Sequence, residues 1–382
     1  MKTRPERPSR SRTMTTTPRP RPASTAGAPH SRAKPAQGGG RVAGRVAAAL
    51  VVGIPATVAG IAIGIPHALR GVSLSAVLGL AALLAGLTLL GGAAAATWRR
   101  VRWSGRIGVV LVGLLIVQFL LFPMSQAVVA TNRAPMPLSL RTPADVGLPY
   151  DDVALTTADG VRLAAWHVPS RNGAAVVLLH GSGSTRATVL DHAAALAARG
   201  YGVLLLDARG HGESGGQEMD FGWSGDADIA PAVNYLLAAP DVAGDRVALV
   251  GMSMGGEEAI GAAASMPAVR AVVVEGVTGR VGADWLPLRP PGIGRVFSSA
   301  FYWVQEMTAA ALSRTEPPVD LRSAVLQTAP RPVLVIAAGN VAAERAAGQR
   351  LQGAAPGAVQ LWEITGAGHT AGLRTPRSGK RA

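Results

Sequence analysis

Two pentapeptides carry the pattern Gly-x-Ser-x-Gly: Gly212-Glu213-Ser214-Gly215-Gly216 and Gly251-Met252-Ser253-Met254-Gly255. Such a serine can act as a nucleophile when a strand ends in a tight turn that feeds a helix. The turn lifts the hydroxyl above the sheet and leaves the helix N-terminus beneath it. Glycines two before and two after are needed because side chains there collide at so sharp a bend. In a chain with 47 glycines the pattern alone is a weak signal, so context decides. The second match has that context: the apolar run Arg246–Val250 leads into Gly251, and Met254 to Ile260 opens a helix. The first continues into Gln217-Glu218-Met219-Asp220-Phe221-Gly222, which has no helical period, and reads as a loop. Ser253 is therefore the candidate nucleophile. The chain has no cysteine, which removes disulfides, thiolate metal sites and a cysteine nucleophile. His-x-x-x-His and P-loop spacings are absent too, so neither a metal nor a cofactor is expected.

The elements that must hold Ser253 are legible around it. Ala174–Leu179, Gly202–Leu206, Arg246–Val250, Ala271–Val274 and Pro332–Ala337 read as buried parallel strands. Ala187–Arg199, Asp226–Leu237 and Met254–Ala264 read as the helices between them. Asp152–Thr156 and Val161–His167, joined by Ala158-Asp159-Gly160, read as an antiparallel hairpin. The expected domain, 150–382, is an open, mostly parallel α/β sheet with helices on both faces. Sites in such sheets form at the carboxyl ends of the strands.

Charge divides the chain. Its 37 Lys+Arg and 23 Asp+Glu give +14 overall, but residues 1–140 hold 17 basic residues and one acid (Glu6), a net +16, and the remainder nets −2. With 48% hydrophobic and 16% charged residues, wholesale disorder is excluded. Residues 1–45 are expected to be a disordered basic tail. Residues 46–130 are expected to be a membrane anchor of three uncharged spans, Val46–Pro66, Val72–Thr97 and Ile107–Ala130. Each is long enough for a helix to cross a bilayer core of about 20 residues. The tail and the loop carrying Arg99, Arg100, Arg102 and Arg106 are basic, which orients both toward the cytoplasm; three crossings then put the C-terminal domain outside, and two would leave it in the cytoplasm. The basic excess then meets lipid head groups, and a nucleic-acid partner is not expected. Pro-rich residues 131–149 read as a semi-rigid linker.

With these residues assembled, 150–382 resembles the α/β-hydrolase superfamily, in its serine-hydrolase branch of esterase, lipase and serine-aminopeptidase-like members. The resemblance is carried by four motifs: His180-Gly181-Ser182-Gly183; Asp207-Ala208-Arg209-Gly210-His211-Gly212-Glu213-Ser214; Gly251 to Gly255; and Gly366-Ala367-Gly368-His369. It implies an α/β-hydrolase fold and the order serine, acid, histidine. His369, the only histidine after Ser253, is then the base. It implies oxyanion donors in the Met254 and Ser182 backbone N–H groups, and bracing roles for His180, Gly181, Gly251, Gly255 and His211. The family usually places an Asp after the strand that here reads Pro332–Ala337. This chain has Asn340-Val341-Ala342-Ala343-Glu344 there, so Glu344 is the expected acid and Glu275 the alternative. Residues 281–329 read as a lid-like insertion that shapes an apolar pocket. The 13 residues after His369 are too short and too basic for the final helix the resemblance implies. The expected function is a multi-pass, membrane-anchored serine hydrolase acting on a small-molecule or lipid-like ester, thioester or amide. The alternatives are an inactive binding module of this fold and an acyltransferase sharing the acyl-enzyme.

Overall fold

The computed structural model describes residues 38–70, 72–132, 136–216 and 221–375. Residues 1–37 of the expected tail lie outside them, and Gly38–Ala59 is helical. Three helices are long and apolar enough to cross a membrane: Val42–Gly64, Leu74–Trp98 and Trp103–Thr131, with mean hydropathies of 2.3, 2.2 and 2.6. They correspond to the three expected spans with ends moved by a few residues. The first two approach so closely that a Cβ on Gly79 would lie 2.3 Å from Gly64 Cα, the kind of contact only small residues permit between membrane helices. The far end of the third span packs Val128, Leu121 and Met124 against Val58 and Ala62 of the first.

The described part of the expected linker packs against the domain that follows it. Leu138, Val146, Leu148 and Tyr150 pack on the sheet, and Met136 O accepts the Gly212 N–H at 3.2 Å. Thr142 N donates to Asp145 Oδ2 at 2.7 Å, which caps the turn Pro143–Val146.

Eight strands follow in the spatial order β1-β2-β4-β3-β5-β6-β7-β8. They are β1 Asp151–Thr156, β2 Arg162–Val168, β3 Ala175–Leu179, β4 Gly202–Leu206, β5 Val247–Met252, β6 Val269–Glu275, β7 Val333–Ala338 and β8 Val359–Ile364. Only β2 runs against its neighbours. Every residue of β3 and β4 is buried, as expected of central strands covered on both faces. The helices are α1 Leu190–Ala197, α2 Gly225–Ala238, α3 Met254–Ser265, α4 Ile293–Ser313, α5 Leu321–Thr328 and α6 Ala342–Ala354. One core joins the sheet to α2, α3, α5 and α6 through Ile229, Ile260, Val325 and Leu351. The other lies under α1, through Leu190 and Ala193. This is the α/β-hydrolase fold.

The segment expected as a lid, 281–329, divides in two. Leu321–Thr328 is core: Leu321, Ala324 and Val325 are buried with the residues of α3 and β6. The insertion proper is the short helix Gly282–Trp285 and the 21-residue α4.

Candidate active site

β5 ends at Met252 and α3 begins at Met254, so Ser253 alone makes the turn, at φ 53° and ψ −121°. A non-glycine residue at positive φ is strained and persists only where its surroundings hold it. Ser253 N donates to Glu275 O on β6 at 2.7 Å, and Ser253 O accepts the N–H groups of Gly256 and Glu257. The flanking glycines are sterically required. A Cβ on Gly251 would sit 2.2 Å from Gly255 O, and one on Gly255 would sit 2.4 Å from His180 O. Met254 opens the helix, where an N–H has no intrahelical acceptor. The Gly181 backbone lies beside the serine, its would-be Cβ 3.2 Å from Ser253 Cβ.

His369 stands in the loop after β8. Its Nδ1 donates to Glu344 Oε1 at 2.6 Å, which leaves Nε2 to accept from Ser253 Oγ at 3.0 Å. Glu344 lies in the first turn of α6 with no exposed surface, and its other oxygen accepts the Ala338 N–H at 2.8 Å. The His369 ring is half exposed, so the line from acid to base to serine runs from the interior toward solvent. Glu275 is placed differently: its carboxylate accepts the Gly372 N–H at 2.7 Å and so pins the loop that carries His369. Arg374 fastens the same loop to Asp191 at 3.0 Å. Asn340 joins it as well, its N donating to Ala367 O and its Nδ2 to Gly366 O at 3.0 Å. Glu275 and Asp191 thus brace the described residues after His369, which include the 3₁₀ turn Gly372–Arg374.

The His180 and His211 rings meet at 5.0 Å, tilted by 55°. His180 Nε2 accepts the Ala208 N–H at 3.1 Å while Nδ1 donates to Gly181 O at 2.8 Å, a pattern that only the neutral ring satisfies. Complete burial pushes its pKa down to about 3. Ser214, the other pentapeptide serine, is buried; it donates to Asp207 O at 2.7 Å and accepts the Ala164 N–H at 2.9 Å, tying β2 to the turn after β4. Arg186 gave no signal in the sequence. It is fully buried, paired with Asp207 and laid 4.3 Å over the Trp166 ring. Asp207 also accepts the N–H groups of Arg186 and Glu213, so one ion pair ties the loops after β3 and β4 together. In the first turn of α3, Glu257 accepts the Thr278 and Gly279 N–H groups at 2.9 and 2.8 Å, and burial raises its pKa to about 7. Burial pushes Glu258 well above the ordinary carboxylate range too.

A sheet of this order, with a strained serine at the β5–α3 turn, is the arrangement of the α/β-hydrolase fold. Residues 170–330 match the family model Hydrolase_4, serine aminopeptidase, S33. An uncharacterized protein of Mycobacterium tuberculosis is 35% identical over 146 residues, 36% of this chain and 51% of that protein. A thiohydrolase of Aspergillus aculeatus, aneE, is 34% identical over 129 residues, 32% of this chain and 40% of that one. The chain thus spans about half the length of the curated relatives it matches, or less. The esterase Pf2001 of Pyrococcus furiosus shares the fold at 24% identity and a TM-score of 0.50, over 64% of this chain and 92% of the esterase.

Proposed function

We propose that the protein is a membrane-anchored serine hydrolase that cleaves an ester, thioester or amide through an acyl-enzyme on Ser253. The carrying observation is the bridging position of His369, 2.6 Å from Glu344 and 3.0 Å from Ser253 Oγ. Nε2 takes the hydroxyl proton as Oγ bonds to the acyl carbon. The same proton then passes to the leaving alcohol, thiol or amine as its bond to the acyl carbon breaks. Water, deprotonated by His369, releases the acid and restores the serine. Glu344 orients the imidazole and stabilises its charged form. The Met254 N–H and, from the loop after His180-Gly181, the Ser182 N–H are the assigned donors to the oxyanion. None of these steps calls for a cofactor. The basic loop between the second and third spans supports a topology with the hydrolase domain on the extracytoplasmic side. The thiohydrolase named above supports including thioesters in the substrate class. A fluorophosphonate probe tests the reading directly. The wild-type chain is expected to label and Ser253→Ala to stay unlabelled; an unlabelled wild type, or equal labelling of both, overturns it.

A further inference from the structure

The outward face of α4 is apolar from end to end. Ile293, Val296, Ala300, Trp303 and Met307 recur at alternating steps of three and four, so they share one side of the helix, and all are exposed. Trp303 is 64% exposed and Ile293 70%. Polar groups point the other way: Gln305 is buried, and Glu306 accepts the Gly282 N–H. A helix over a water-facing site has the reverse arrangement.

Its neighbour explains the inversion. α4 lies along the third span, with Phe297 against Phe119 at 5.1 Å and Phe301 against Phe122 at 5.6 Å. Further on, Ala309 is buried in one cluster with Ala127, Trp223 and Val281. Both helices therefore run in the same direction. Counting about 20 residues of hydrocarbon core from Arg106 places Phe119 and Phe122 in the leaflet where the span ends, and the first half of α4 beside them. Arg295, in the first turn of that helix, donates to Arg289 O at 3.2 Å, so part of its hydrogen-bonding need is met within the protein. A cavity of about 300 Å³ lies between helix and span, lined by Gln118, Phe119, Arg289, Phe297 and Tyr302.

The same aromatic wall continues to the catalytic loop. Phe301 meets Tyr302 at 5.5 Å, and Tyr302 meets Trp285 at 5.2 Å. Trp285 closes on Gly279, three residues from Gly276, whose would-be Cβ lies 3.0 Å from the His369 ring.

We infer that α4 is embedded in the leaflet at which the third span ends, its outward face against lipid, and that Ser253 draws its acyl group from an ester or thioester resident in that bilayer. The second half rests on the serine-hydrolase reading above; the first does not. Because the chain has no cysteine, Ala300→Cys gives the full-length protein one attachment point for a nitroxide. In liposomes the label is expected to relax by collision with dissolved oxygen far more than with a water-soluble nickel chelate. Greater access to the chelate overturns the placement, as does spin–spin broadening, which would put a second copy of the chain on this face. In the activity arm, Val296→Glu with Trp303→Glu is expected to slow hydrolysis of a long-chain p-nitrophenyl ester dissolved in vesicles by at least about tenfold. Soluble p-nitrophenyl acetate is expected to stay within about twofold. An unchanged rate on the vesicle ester overturns the substrate assignment. A wild type that neither labels with fluorophosphonate nor turns over either ester refutes the hydrolase reading instead, and the nitroxide still decides where α4 lies.

Discussion

Replacing Glu344 by Gln exchanges one oxygen for nitrogen in a side chain with no exposed surface. The pocket offers two partners on opposite sides: the Ala338 N–H at 2.8 Å, always a donor, and His369 Nδ1 at 2.6 Å. A carboxylate accepts from both. An amide satisfies the Ala338 N–H only by turning its oxygen that way, which aims its NH₂ at Nδ1. Nδ1 must then become the acceptor, and the ring proton moves to Nε2, the atom facing Ser253 Oγ at 3.0 Å. The serine is left opposite a donor, with no base to take its proton. The precedent of an isosteric amide in a serine-protease triad puts the loss near 10⁴-fold, or about 5 kcal/mol of barrier. The assay is kcat/KM on p-nitrophenyl butyrate together with the second-order rate of fluorophosphonate labelling, and both should fall together. Glu275→Gln is the control: its amide oxygen still accepts the Gly372 N–H, so activity is expected to stay within about threefold. Glu344→Gln retaining activity within about tenfold, or Glu275→Gln showing the larger loss, refutes the assignment.

Two further substitutions probe the frame around the serine. Ser214→Ala strands the buried Ala164 N–H and Asp207 C=O; it is expected to cost about 1–3 kcal/mol in detergent unfolding while fluorophosphonate labelling of Ser253 persists. Glu257, raised from 4.5 to about 7 in the fold, binds more protons there than in the unfolded chain across that window. Its contribution is therefore fully present below pH 4.5, declines as pH rises through 7, and is constant above. Glu257→Gln keeps the acceptor for Thr278 and Gly279 and removes the titration. Its melting temperature should exceed the wild type's at pH 8, by an amount equivalent to up to about 3 kcal/mol, and converge with it near pH 4.5. Parallel pH profiles would refute that role.

What the sequence disclosed, and what it withheld, follows from locality. The Ser253 turn is specified within about ten residues, by an apolar strand, two glycines that contacts of 2.2 and 2.4 Å demand, and a helix start, so it reads directly. Glu344 sits in the first turn of α6, where an acid is common for helix-end electrostatics alone. Nothing local separates that use from one in which the carboxylate reaches 25 residues along the chain to His369. Glu275 illustrates the converse: on the neighbouring strand and near the base loop, it spends its carboxylate on Gly372 N. Arg186 resembled any surface arginine, because its burial depends on Asp207 and Trp166, partners distant in sequence.

The inversion of α4 shows why periodicity alone stops short of function. Its three-and-four spacing announces an amphipathic helix, and in a water-soluble enzyme the apolar stripe would face the core. Here both sides are spoken for. Gln305 and the Glu306 contact with Gly282 hold the polar side to the domain, while Phe119 and Phe122 of a spanning helix flank the apolar one. On the reading proposed above, the sign of the stripe is set by the anchor and not by the C-terminal domain. The same packing brings the end of the third span to Trp223 and Val281, beside the loops at the carboxyl edge of the sheet where Ser253 stands. An anchor that only tethered the enzyme would have no reason to reach that edge. On the reading proposed above it lies beside the approach to the serine, and removal of the spans is expected to change substrate access as well as location.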